Sequence, residues 1–593
     1  MTSAKTMAEQ ATMQSFLNCY LREHGSIQTV SIDYLSIDQP IEQIWQCPLK
    51  SQGICLTIPV RYVSLTGAHL FAFPIYMETR KGDRTPLDYV TLVTLLTKEL
   101  LNYFNRDDSE DELILRVIHS CRNIQYFIDQ RLLEKNALTA HDFSFIEAEQ
   151  SLIFGHLLHP TPKSRQGMDE DHLAPELKGH FQLDYFKADA SIVAEDSALG
   201  TYASQLIKEQ LLNDKSIQPS FKEKYGTDNP CVLIPAHPFQ ATFLLKQPHV
   251  KKLMDKGLLE YLGPNGQAYT ATSSIRTVYN KQASAMYKFS LNVQITNSLR
   301  VNKRWELDRG VEVSRLMSGY IGADLKRHYP KFSIIQDPAY ITIETEDQEE
   351  TGFEVILRDN PFKNNDDKNV TLIAGLTQPH MTRDTNRLGE IIRHLANEEG
   401  RPTSQVSRDW FQQYLDCSLK PMLWLFGKYG IALEAHQQNS LIKLEQGYPA
   451  HFYYRDNQGY YFCESSFSTL QTHLSNLNEK SDTVCPDHVA EERFRYYCYV
   501  NQLLGMINAF GRSGVCEESV LLQALANTLK GLEGYEAQRQ SLIASLLNNR
   551  TLPSKGNLLT RLNNMDELVG ALETQSVYTD ITNPLYEVRT ANV

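Results

Sequence analysis

The 593-residue sequence predicts an α+β fold with mainly antiparallel sheets and a helical C-terminal part. Helix and strand patterns follow one another in blocks and do not alternate as strand–helix–strand units, which argues against a doubly wound parallel sheet. Residues 288–296 alternate strictly between polar and apolar side chains, as in a strand with one buried face. Apolar-rich segments with helical periodicity lie near both ends of the chain.

Residues 1–145 are predicted to form an N-terminal lobe of helices and short strands. The apolar-rich segment 90–104 and the amphipathic segment 116–134 have the periodicity of helices. The acidic segment 107–112 between them is interpreted as a solvated link. Residues 68–74, rich in aromatic and aliphatic side chains, are predicted to form a strand.

Residues 146–400 are predicted to form a central lobe that mixes helix and strand. The sequence Gly-Pro-Asn-Gly at 263–266 predicts a turn. A polar loop at 359–368 precedes a strand predicted at 370–374. The lobe is predicted to end near 398–402, where glycine and proline interrupt a helical pattern.

Residues 401–593 are predicted to form a mostly helical C-terminal lobe. Segment 410–429 has helical periodicity, and a long helix is expected over 491–510, with more helix to about residue 547. Residues 451–463 are predicted to form a β-hairpin, because two aromatic-rich strands flank an Asp-Asn-Gln-Gly sequence.

The composition excludes several classes of function. The chain carries 71 Asp and Glu against 58 Lys and Arg, a net charge of −13, which argues against general binding to nucleic acid or to an anionic membrane. No run of 18 apolar residues occurs, and residues 1–14 are polar, so neither a membrane span nor a secretory signal is expected. Ten cysteines without a Cys-x-x-Cys pair predict reduced thiols in a cytoplasmic protein, without a zinc site or disulfide framework.

One stretch of this acidic chain has the opposite charge. Residues 261–305 contain no Asp or Glu and six cations, which suits an anion-binding pocket; the cations are Arg276, Lys281, Lys288, Arg300, Lys303 and Arg304. The alternating strand would place five polar residues on one face: Lys288, Ser290, Asn292, Gln294 and Thr296. That face is interpreted as the floor of a polar site, and the alternative is an amphipathic strand facing water.

A stiff basic loop lies at 155–167. It holds two histidines, Lys163 and Arg165, with no acid between residues 151 and 168, and two prolines restrict its backbone. Such side chains suit phosphate oxygens, and Arg can contact two oxygens at once. The pair His156 and His159 could instead bind a metal, and a purely structural loop is the third alternative.

The hydroxyl-rich segment 270–277 precedes the alternating strand. Hydroxyls, backbone N–H groups and Arg276 together can form an anion nest. The alternative is an ordinary loop, because Ser and Thr are common in loops.

A third segment offers ligands for a hard cation. Glu434, His436 and Gln438 would share a face if residues 433–440 form a strand, with Asn439 beside them and Asp456 at the hairpin tip. Carboxylate and amide oxygens suit Mg²⁺, which takes further ligands from phosphates and water. The alternative is a satisfied polar strand end.

Together these segments resemble the IucA/IucC family of siderophore synthetases, which work independently of nonribosomal peptide synthetases. The resemblance covers about residues 60–570, and Leu157 stands where the family often has Pro. Residues 71–74 and the helix after them resemble the aerobactin-synthetase branch, which takes free citrate. The motifs are Gly155-His-x-x-His-Pro-x-x-Lys-x-Arg-x-Gly167, Ile234-Pro-Ala-His-Pro238, Thr272-Ser-Ser-Ile-Arg-Thr277, Lys288 with Ile295-Thr-Asn-x-x-Arg300, Glu434-Ala-His-x-Gln-Asn439, Arg455-Asp456 and Lys555-Gly-Asn-Leu-Leu-x-Arg561.

The resemblance implies a three-lobed cupped hand of thumb, fingers and palm around one cleft, and a homodimer. It implies that ATP adenylates a carboxylate of citrate or a similar acid, and that an amine or hydroxyl then displaces AMP. The implied ATP-binding residues are His159, Lys163, Arg165, Ser274, Arg276, Thr277, Lys288, His436 and Gln438. The implied acid-binding residues are Thr296, Asn297, Arg300 and Lys555, with His159 beside them. The implied Mg²⁺ ligands are Glu434, Asn439 and Asp456, and the implied catalytic residues are Arg300, His159 and Lys288.

Three other functions remain open at this point. A kinase-like phosphotransferase is suggested because His436-x-x-Asn439 followed by Asp456 is similar to the metal-binding part of kinase palms. An adenylating ligase could also use 2-oxoglutarate or a citryl-amine intermediate. The C-terminal third resembles ferric-siderophore reductases, but the last cysteine is Cys516 and no cysteine cluster for an iron–sulfur centre follows it.

Overall fold

The computed structural model of the chain describes residues 3–35, 39–79, 81–106, 111–167, 171–226, 231–295, 298–346, 348–456, 458–532, 537–563, 565 and 576–591. These residues form separate helical and mainly antiparallel sheet regions, so the predicted α+β class is confirmed. The α-helices are α1 Ala4–Glu23, α2 Tyr89–Tyr103, α3 Asp111–Arg131, α4 Phe145–Glu149, α5 Ala203–Asn213, α6 Pro219–Tyr225, α7 Pro238–Leu244, α8 Pro248–Asp255, α9 Arg304–Ser318, α10 Tyr320–His328, α11 Ile373–Thr377, α12 Arg387–Glu399, α13 Thr403–Cys417, α14 Leu419–Tyr429, α15 Phe467–Gln471, α16 Asp487–Phe494, α17 Leu504–Arg512, α18 Glu518–Lys530, α19 Ala537–Asn548, α20 Asn557–Leu562 and α21 Pro584–Ala591.

The strands are β1 Gln28–Val30, β2 Gln43–Leu49, β3 Ile54–Tyr62, β4 Leu70–Phe71, β5 Tyr76–Glu78, β6 Arg84–Pro86, β7 Arg165–Gln166, β8 His180–Ala188, β9 Val193–Ser197, β10 Val232–Ala236, β11 Leu259–Ala271, β12 Thr277–Tyr279, β13 Ala285–Phe289, β14 Gln294–Ile295, β15 Ser298–Leu299, β16 Phe332–Ile335, β17 Ala339–Ile343, β18 Val355–Asp359, β19 Val370–Leu372, β20 Ile431–Leu433, β21 Ser440–Glu445, β22 Tyr448–Arg455, β23 Tyr460–Cys463, β24 Val484–Cys485, β25 Thr551–Lys555 and β26 Tyr578–Thr582.

The N-terminal part of the chain is built around a six-stranded antiparallel sheet. Its strand order is β1-β2-β3-β5-β6, with β4 beside β3. Phe16 of α1, Leu96 of α2 and Val117 of α3 are buried in one hydrophobic cluster with this sheet. Leu558 and Leu559 of α20 belong to the same cluster, so the C-terminal α20 packs against the N-terminal helices.

The central part is built around an eight-stranded antiparallel sheet. Its strand order is β10-β8-β11-β12-β13-β18-β17-β9. Helices α5, α7 and α8 bury Ile207, Leu244 and Val250 against it. Phe289, Leu291 and Val293 are also buried in this cluster, as their alternation predicts.

The C-terminal part contains two further sheets, which pack together with helices in one hydrophobic cluster. The four-stranded sheet has the order β16-β22-β21-β19, in which β16 and β22 are parallel, and the three-stranded sheet has the order β20-β23-β24. Trp410, Phe411 and Tyr414 of α13 and Phe510 of α17 are fully buried in the largest hydrophobic cluster of the described residues. The predicted helices over 410–429 and 491–510 are confirmed as helical segments, the first divided at Ser418.

Two local features orient the segments that line the central cavity. Gly430 ends α14 at φ +65°, and a Cβ there would lie 2.3 Å from Ser466 Oγ, so the chain can turn closely into β20. Residues Arg495–Leu503 form a π-helical segment between α16 and α17. The wider π turn changes which side chains face the cavity, as is frequent near functional sites.

Several expected elements are wrong in detail. Residues 263–266 do not form a turn; they continue β11 through two register shifts, with Gly263 and Gly266 at positive φ. Residues 451–463 are not a hairpin, because β22 and β23 belong to different sheets. The strand predicted over 288–296 is interrupted between β13 and β14, and residues 434–439 form a turn after β20. The strand at 68–74 is limited to β4.

The described residues cover one further expectation in part and leave another as a prediction. Residues 107–110 of the predicted acidic link lie outside the described residues, whereas Asp111 and Glu112 begin α3. The lobe limits at 145/146 and 400/401 stay a prediction. Within the described residues, no helix combines the length and apolar character needed to cross a bilayer.

Candidate active site

One cavity of about 380 Å³ brings the predicted motifs together. Its walls come from the basic loop at 155–165, the turn at 273–277, the end of β13, the turn after β20, and residues 554–557. The sequence-predicted residues that line it are His159, Lys163, Arg165, Ser274, Arg276, Thr277, Lys288, Arg300, Glu434, His436, Gln438, Asn439, Asp456 and Lys555. Thr296 and Asn297 lie outside the described residues.

The basic loop is held from below by an acid that its own sequence lacks. Glu176 is 2 % exposed; its carboxylate contacts Lys163 Nζ and lies 2.7 Å from Arg165 Nη2 at both oxygens. Burial would raise the pKa of Glu176, but the two cations lower it to about 2. Burial also lowers the pKa of Lys163. The trio therefore carries one net positive charge, less than the loop sequence alone suggests.

The hydroxyl-rich turn is held by hydrogen bonds of its own. Ile275, although β-branched, has φ +66°, a conformation that costs free energy and persists where neighbours hold it. Ser274 Oγ accepts from Thr277 N at 3.2 Å, and Thr272 Oγ1 donates to Thr277 O at 2.7 Å. The N–H groups of Ile275 and Arg276 donate to Thr272 O and Ser274 O, so the expected nest of free backbone N–H groups is not present. An anion beside this turn would instead meet the side chains of Ser274 and Arg276.

A closed ring of contacts joins this turn to the segment after β20. Glu149, which is 1 % exposed, accepts from Ser273 N at 2.9 Å and lies 2.7 Å from Arg455 Nη1. Arg455 Nη2 donates to Gln438 O at 3.0 Å, and Gln438 Nε2 donates to Ser273 Oγ at 3.2 Å. The ring fixes the distance between the two segments that are predicted to hold ATP.

Arg276 is oriented by a relay that ends on another buried acid. Its Nη1 donates to Asn302 Oδ1 at 3.0 Å, and Asn302 N donates to Ser290 Oγ at 2.9 Å. Ser290 Oγ donates in turn to Glu354 Oε2 at 2.7 Å. Burial, together with the charge of Arg300, lowers the pKa of Arg276 to about 10, so Arg276 stays charged near neutral pH.

Lys288 and Asp456 form an ion pair in the cavity. Their Nζ and Oδ1 atoms lie 3.2 Å apart, and Lys288 is 4 % exposed. Burial lowers the pKa of Lys288 to about 8, against the attraction of Asp456 and with the repulsion of Arg276 and Arg358. Burial would raise the pKa of Asp456, but Lys288 and Arg358 hold it well below its ordinary value. The predicted strand therefore does not face water at Lys288.

The predicted Mg²⁺ ligands lie together around the turn after β20. Asn439 Nδ2 donates to Asp456 Oδ2 at 3.2 Å, and Tyr461 Oη donates to Glu434 Oε2 at 3.0 Å. Burial and the charge of Asp456 raise the pKa of Glu434 to about 7. A divalent cation would relieve this repulsion, so the oxygen donors fit Mg²⁺ chemically. Among the described residues, no group of three or more His, Cys, Asp and Glu side chains forms a metal site by itself.

His436 is neutral near pH 7 and stabilises the same turn through hydrogen bonds. Its Nδ1 accepts from Gln438 N and Asn439 N, both at 3.2 Å. Burial lowers its pKa to about 4. The imidazole of His436 therefore holds the turn through two backbone N–H groups. Its Nε2 lies 3.7 Å from Glu434 Oε1.

The predicted acid-binding side occupies another wall of the cavity. Arg300 Nη2 donates to Ile295 O at 3.3 Å, which places the guanidinium against β14. Lys555 Nζ lies 5.9 Å from the ring centroid of Tyr496 in the π-helical segment. Both cations line the cavity with His159, as a site for a polycarboxylate requires.

Several cavity residues were missed by the sequence argument. Arg358 lines the cavity and is held by Asp337 through two contacts of 2.7 Å, and Arg455 was recognised in a motif but given no role. Glu149 and Glu176 support the cations without lining the cavity. Their sequence signal is weak, because Glu149 lies far along the chain from Arg455, and Glu176 lies outside the basic loop, 11 residues beyond Arg165.

The chain is similar to known proteins along nearly its whole length. The sequence model of the family described as "IucA / IucC family" matches residues 144–378, and that of "Ferric iron reductase FhuF-like transporter" matches residues 408–570. A spermidine-citrate ligase of Bacillus anthracis is 44% identical over 99% of both chains. The rhizobactin siderophore biosynthesis protein RhbC of Rhizobium meliloti (strain 1021) is 36% identical over 98% of both chains.

A solved structure has the same fold. The ATP-bound aerobactin synthetase IucA from a hypervirulent pathotype of Klebsiella pneumoniae superimposes with a TM-score of 0.87 at 26% identity. The match covers 97% of this chain and 99% of the other. The similarity therefore extends across all parts of the fold that line the cavity.

Proposed function

Because the chain belongs to the IucA/IucC family, we propose that it is an ATP-dependent ligase of siderophore biosynthesis that joins citrate to an amine and releases AMP and pyrophosphate. One observation carries the proposal: Arg276, Lys288 and Arg300 enter one cavity that also holds the carboxylates of Glu434 and Asp456. Two polyanions and a hard cation could meet there, because fixed charges of both signs are already in place.

The cations have distinct proposed tasks. The side chains of Ser274, Thr277 and Arg276 would hold the α-phosphate, with Lys288 beside them. Lys163 and Arg165 would lie along the polyphosphate. Arg300, Lys555 and His159 would hold the carboxylates of the acid, together with Thr296 and Asn297. Positioning of the two anions against each other then supplies most of the barrier reduction.

In the first step a carboxylate oxygen of citrate attacks the α-phosphorus of ATP. A carboxylate–phosphorus bond forms, the bond to the bridging oxygen breaks, and pyrophosphate leaves with the electron pair. Arg276 and Lys288 stabilise the charge that develops on the α-phosphate oxygens. No covalent bond to the protein is required.

In the second step the nitrogen of a neutral amine attacks the acyl carbon of the citryl-adenylate. The carbon–oxygen bond to phosphate breaks, AMP leaves, and the amide nitrogen loses one proton to solvent. The names of similar proteins, including a diaminopropanoate–citrate ligase of Staphylococcus aureus at 26% identity, favour an amine acceptor over an alcohol.

Mg²⁺ is the proposed metal, held by Glu434, Asn439 and Asp456. When bound it would neutralise phosphate charge. Tyr461 orients Glu434 through the hydroxyl hydrogen bond, and Lys288 remains close enough to Asp456 to share its charge. We further propose that the protein is a homodimer. We also propose that it works in the cytoplasm, which its ten free thiols support.

Product analysis tests the proposal against its alternatives. The protein is incubated with ATP, Mg²⁺ and a grid of acids and amines, and nucleotides are quantified. Equal amounts of AMP and pyrophosphate that depend on citrate support the proposal. ADP would support the phosphotransferase, whereas AMP formation with 2-oxoglutarate or a citryl-amine in place of citrate would support the other ligase reactions.

A further inference from the structure

We propose that a second arm of the cavity binds the acceptor amine, and that Arg22 selects acceptors whose far end carries an oxygen atom able to accept a hydrogen bond. This inference rests on the proposed function and extends it to the class of the third substrate. The arm is the part of the cavity wall formed by the last turn of α1, the loop at 66–68 and the helical segment 496–508.

The arm begins at the proposed acid site. Tyr496 links the two parts, because its ring lies 5.9 Å from Lys555 Nζ and its hydroxyl lies 3.5 Å from Asn557 Nδ2. Asn557 Nδ2 also donates to Leu158 O at 2.7 Å, next to His159. An amine that enters along this wall therefore reaches the proposed acid site beside Lys555.

Hydrogen bonds hold the segments of the arm in place. Asn508 Nδ2 donates to Ala68 O at 2.9 Å and to Ser64 Oγ at 3.0 Å, which fastens the loop to the helix. Glu23 Oε1 and Oε2 accept from Leu558 N at 2.9 Å and Leu559 N at 2.8 Å, which fastens α1 to α20. Such fixed contacts are expected where the shape of a wall discriminates between ligands.

The chemistry of the arm differs from that of the phosphate end. Its lining includes the apolar Ala68, Val500 and Leu504, polar side chains such as Asn501, and one cation and one acid, Arg22 and Glu23. The apolar part of the wall disfavours ammonium over neutral amine, which is the form that attacks an acyl group. The arm thus suits the aliphatic chain of an amine and not a third polyanion.

Arg22 is the polar group that distinguishes the far end of the acceptor. Its Nη1 donates to Thr66 O at 3.2 Å, while Nη2 is buried and has no hydrogen-bond partner within the described residues. Glu23, the neighbouring acid, is engaged by the two backbone N–H groups of α20. A buried guanidinium nitrogen without an acceptor is unfavourable, and a ligand oxygen would satisfy it.

The consequence is a preference between otherwise similar amines. A carboxylate, amide or hydroxamate oxygen at the far end of the acceptor would pair with Arg22. A second ammonium, as in a polyamine, would be repelled by the same guanidinium. Acceptors with such an oxygen should therefore be preferred to diamines of the same length.

The test compares three acceptors with the same three-carbon spacer: trimethylenediamine, its mono-N-acetyl derivative and γ-aminobutyrate. Citrate-dependent AMP release is measured for each at saturating ATP and citrate. We expect kcat/KM for at least one oxygen-bearing acceptor to exceed that for the diamine by about tenfold. Comparison of the acetyl derivative with γ-aminobutyrate shows whether a neutral or an anionic oxygen is preferred.

Variants locate the preference on Arg22. Arg22→Gln should abolish the difference between the acceptors, and Arg22→Glu should reverse it in favour of the diamine. Lys5→Gln, which removes an exposed charge from the same helix, is the control and should keep the wild-type ranking. Unfolding temperatures identify any variant that fails to fold. In that case the order of kcat/KM values for the three acceptors with the wild-type enzyme decides the test.

Two results would overturn the inference. One is a wild-type enzyme that prefers the diamine or spermidine to both oxygen-bearing acceptors. The other is an Arg22→Gln enzyme in which all three acceptors change by the same factor. If citrate gives no AMP with any acceptor, the proposed function fails first, so the two failures are distinguishable.

Discussion

Lys288 Nζ lies 3.2 Å from Asp456 Oδ1, so a cation predicted to hold phosphate is paired with an acid predicted to hold metal. The same arrangement recurs around the cavity, where Arg358 lies beside Asp337 and Arg455 beside Glu149. Buried cations need such partners when no substrate is bound, because a charge without a partner is costly in a low-dielectric site. Substrate anions would then join groups whose positions are already fixed.

Replacing Lys288 by Ala should lower kcat/KM by about 100-fold, on the order of 3 kcal/mol, because an ammonium beside the α-phosphate stabilises developing charge. Lys281→Ala is a matched control from the same acid-free stretch; Lys281 is half-exposed and lies 2.8 Å from Asp367. Steady-state AMP release measures both. A Lys288→Ala enzyme that folds and retains wild-type kinetics would remove Lys288 from the site.

Replacing Arg300 by Ala should raise KM for citrate and lower kcat together, because the same contact binds and orients the acid. The loss in kcat/KM should be about 100-fold, as for other charged hydrogen bonds to a carboxylate. Arg304→Ala, which removes a surface cation paired with Glu344 at 2.9 Å, should have little effect. Equal kinetics of Arg300→Ala and Arg304→Ala would contradict this role.

Replacing Glu149 by Gln should raise KM for ATP more than KM for citrate, because the ring through Ser273, Arg455 and Gln438 positions the proposed nucleotide side. Arg455→Met alone should have a similar effect, and the double variant should be no worse than either single variant by more than about threefold. The cycle of kcat/KM values for ATP measures this coupling. Additive losses would mean that the two residues act separately.

Replacing Glu434 by Gln should raise the Mg²⁺ concentration for half-maximal activity by about tenfold or more, because one charged oxygen ligand is lost. Asp366→Asn, an exposed acid elsewhere in the chain, is the control. Activity is titrated against Mg²⁺ at fixed ATP. An unchanged Mg²⁺ requirement in Glu434→Gln would exclude Glu434 as a ligand.

Glu23 should make stability depend on pH. Burial raises the pKa of Glu23 from its ordinary value to about 7, against hydrogen bonds from Leu558 and Leu559. The folded state therefore holds a proton that the unfolded state releases above about pH 4.5, so this contribution is complete below that pH and is lost as pH rises through about 7. Urea unfolding at pH 5 and pH 8 should show a smaller loss of stability in Glu23→Gln than in wild type. Equal losses would contradict the raised pKa.

The sequence indicated which residues meet in the cavity better than it indicated the contacts that support them. The motifs around His159, Arg276 and Glu434 are local, so their residue types could be recognised without a fold. Their partners could not be recognised in this way: Glu149 meets Arg455 across about half of the chain, and no periodicity relates such residues. Glu176 neutralises part of the basic loop from outside it, which local charge counting misses.

Strand pairing was the weaker part of the fold prediction for the same reason. β22 and β23 are adjacent in sequence and would make a plausible hairpin, yet β22 pairs with β16 and β21 and β23 pairs with β20 and β24. Gly263 and Gly266 have turn composition, but their positive φ values serve irregularities within β11. Local propensity does not distinguish these outcomes, because tertiary packing decides them.

The attack of a citrate carboxylate on the α-phosphorus is the step for which the cavity's cations are proposed. Citrate labelled with heavy oxygen in its carboxylates is turned over with ATP and an accepted amine, and the phosphorus products are analysed by mass spectrometry. One labelled oxygen should appear in each AMP and none in pyrophosphate. Label in inorganic phosphate or pyrophosphate, with unlabelled AMP, would contradict the account.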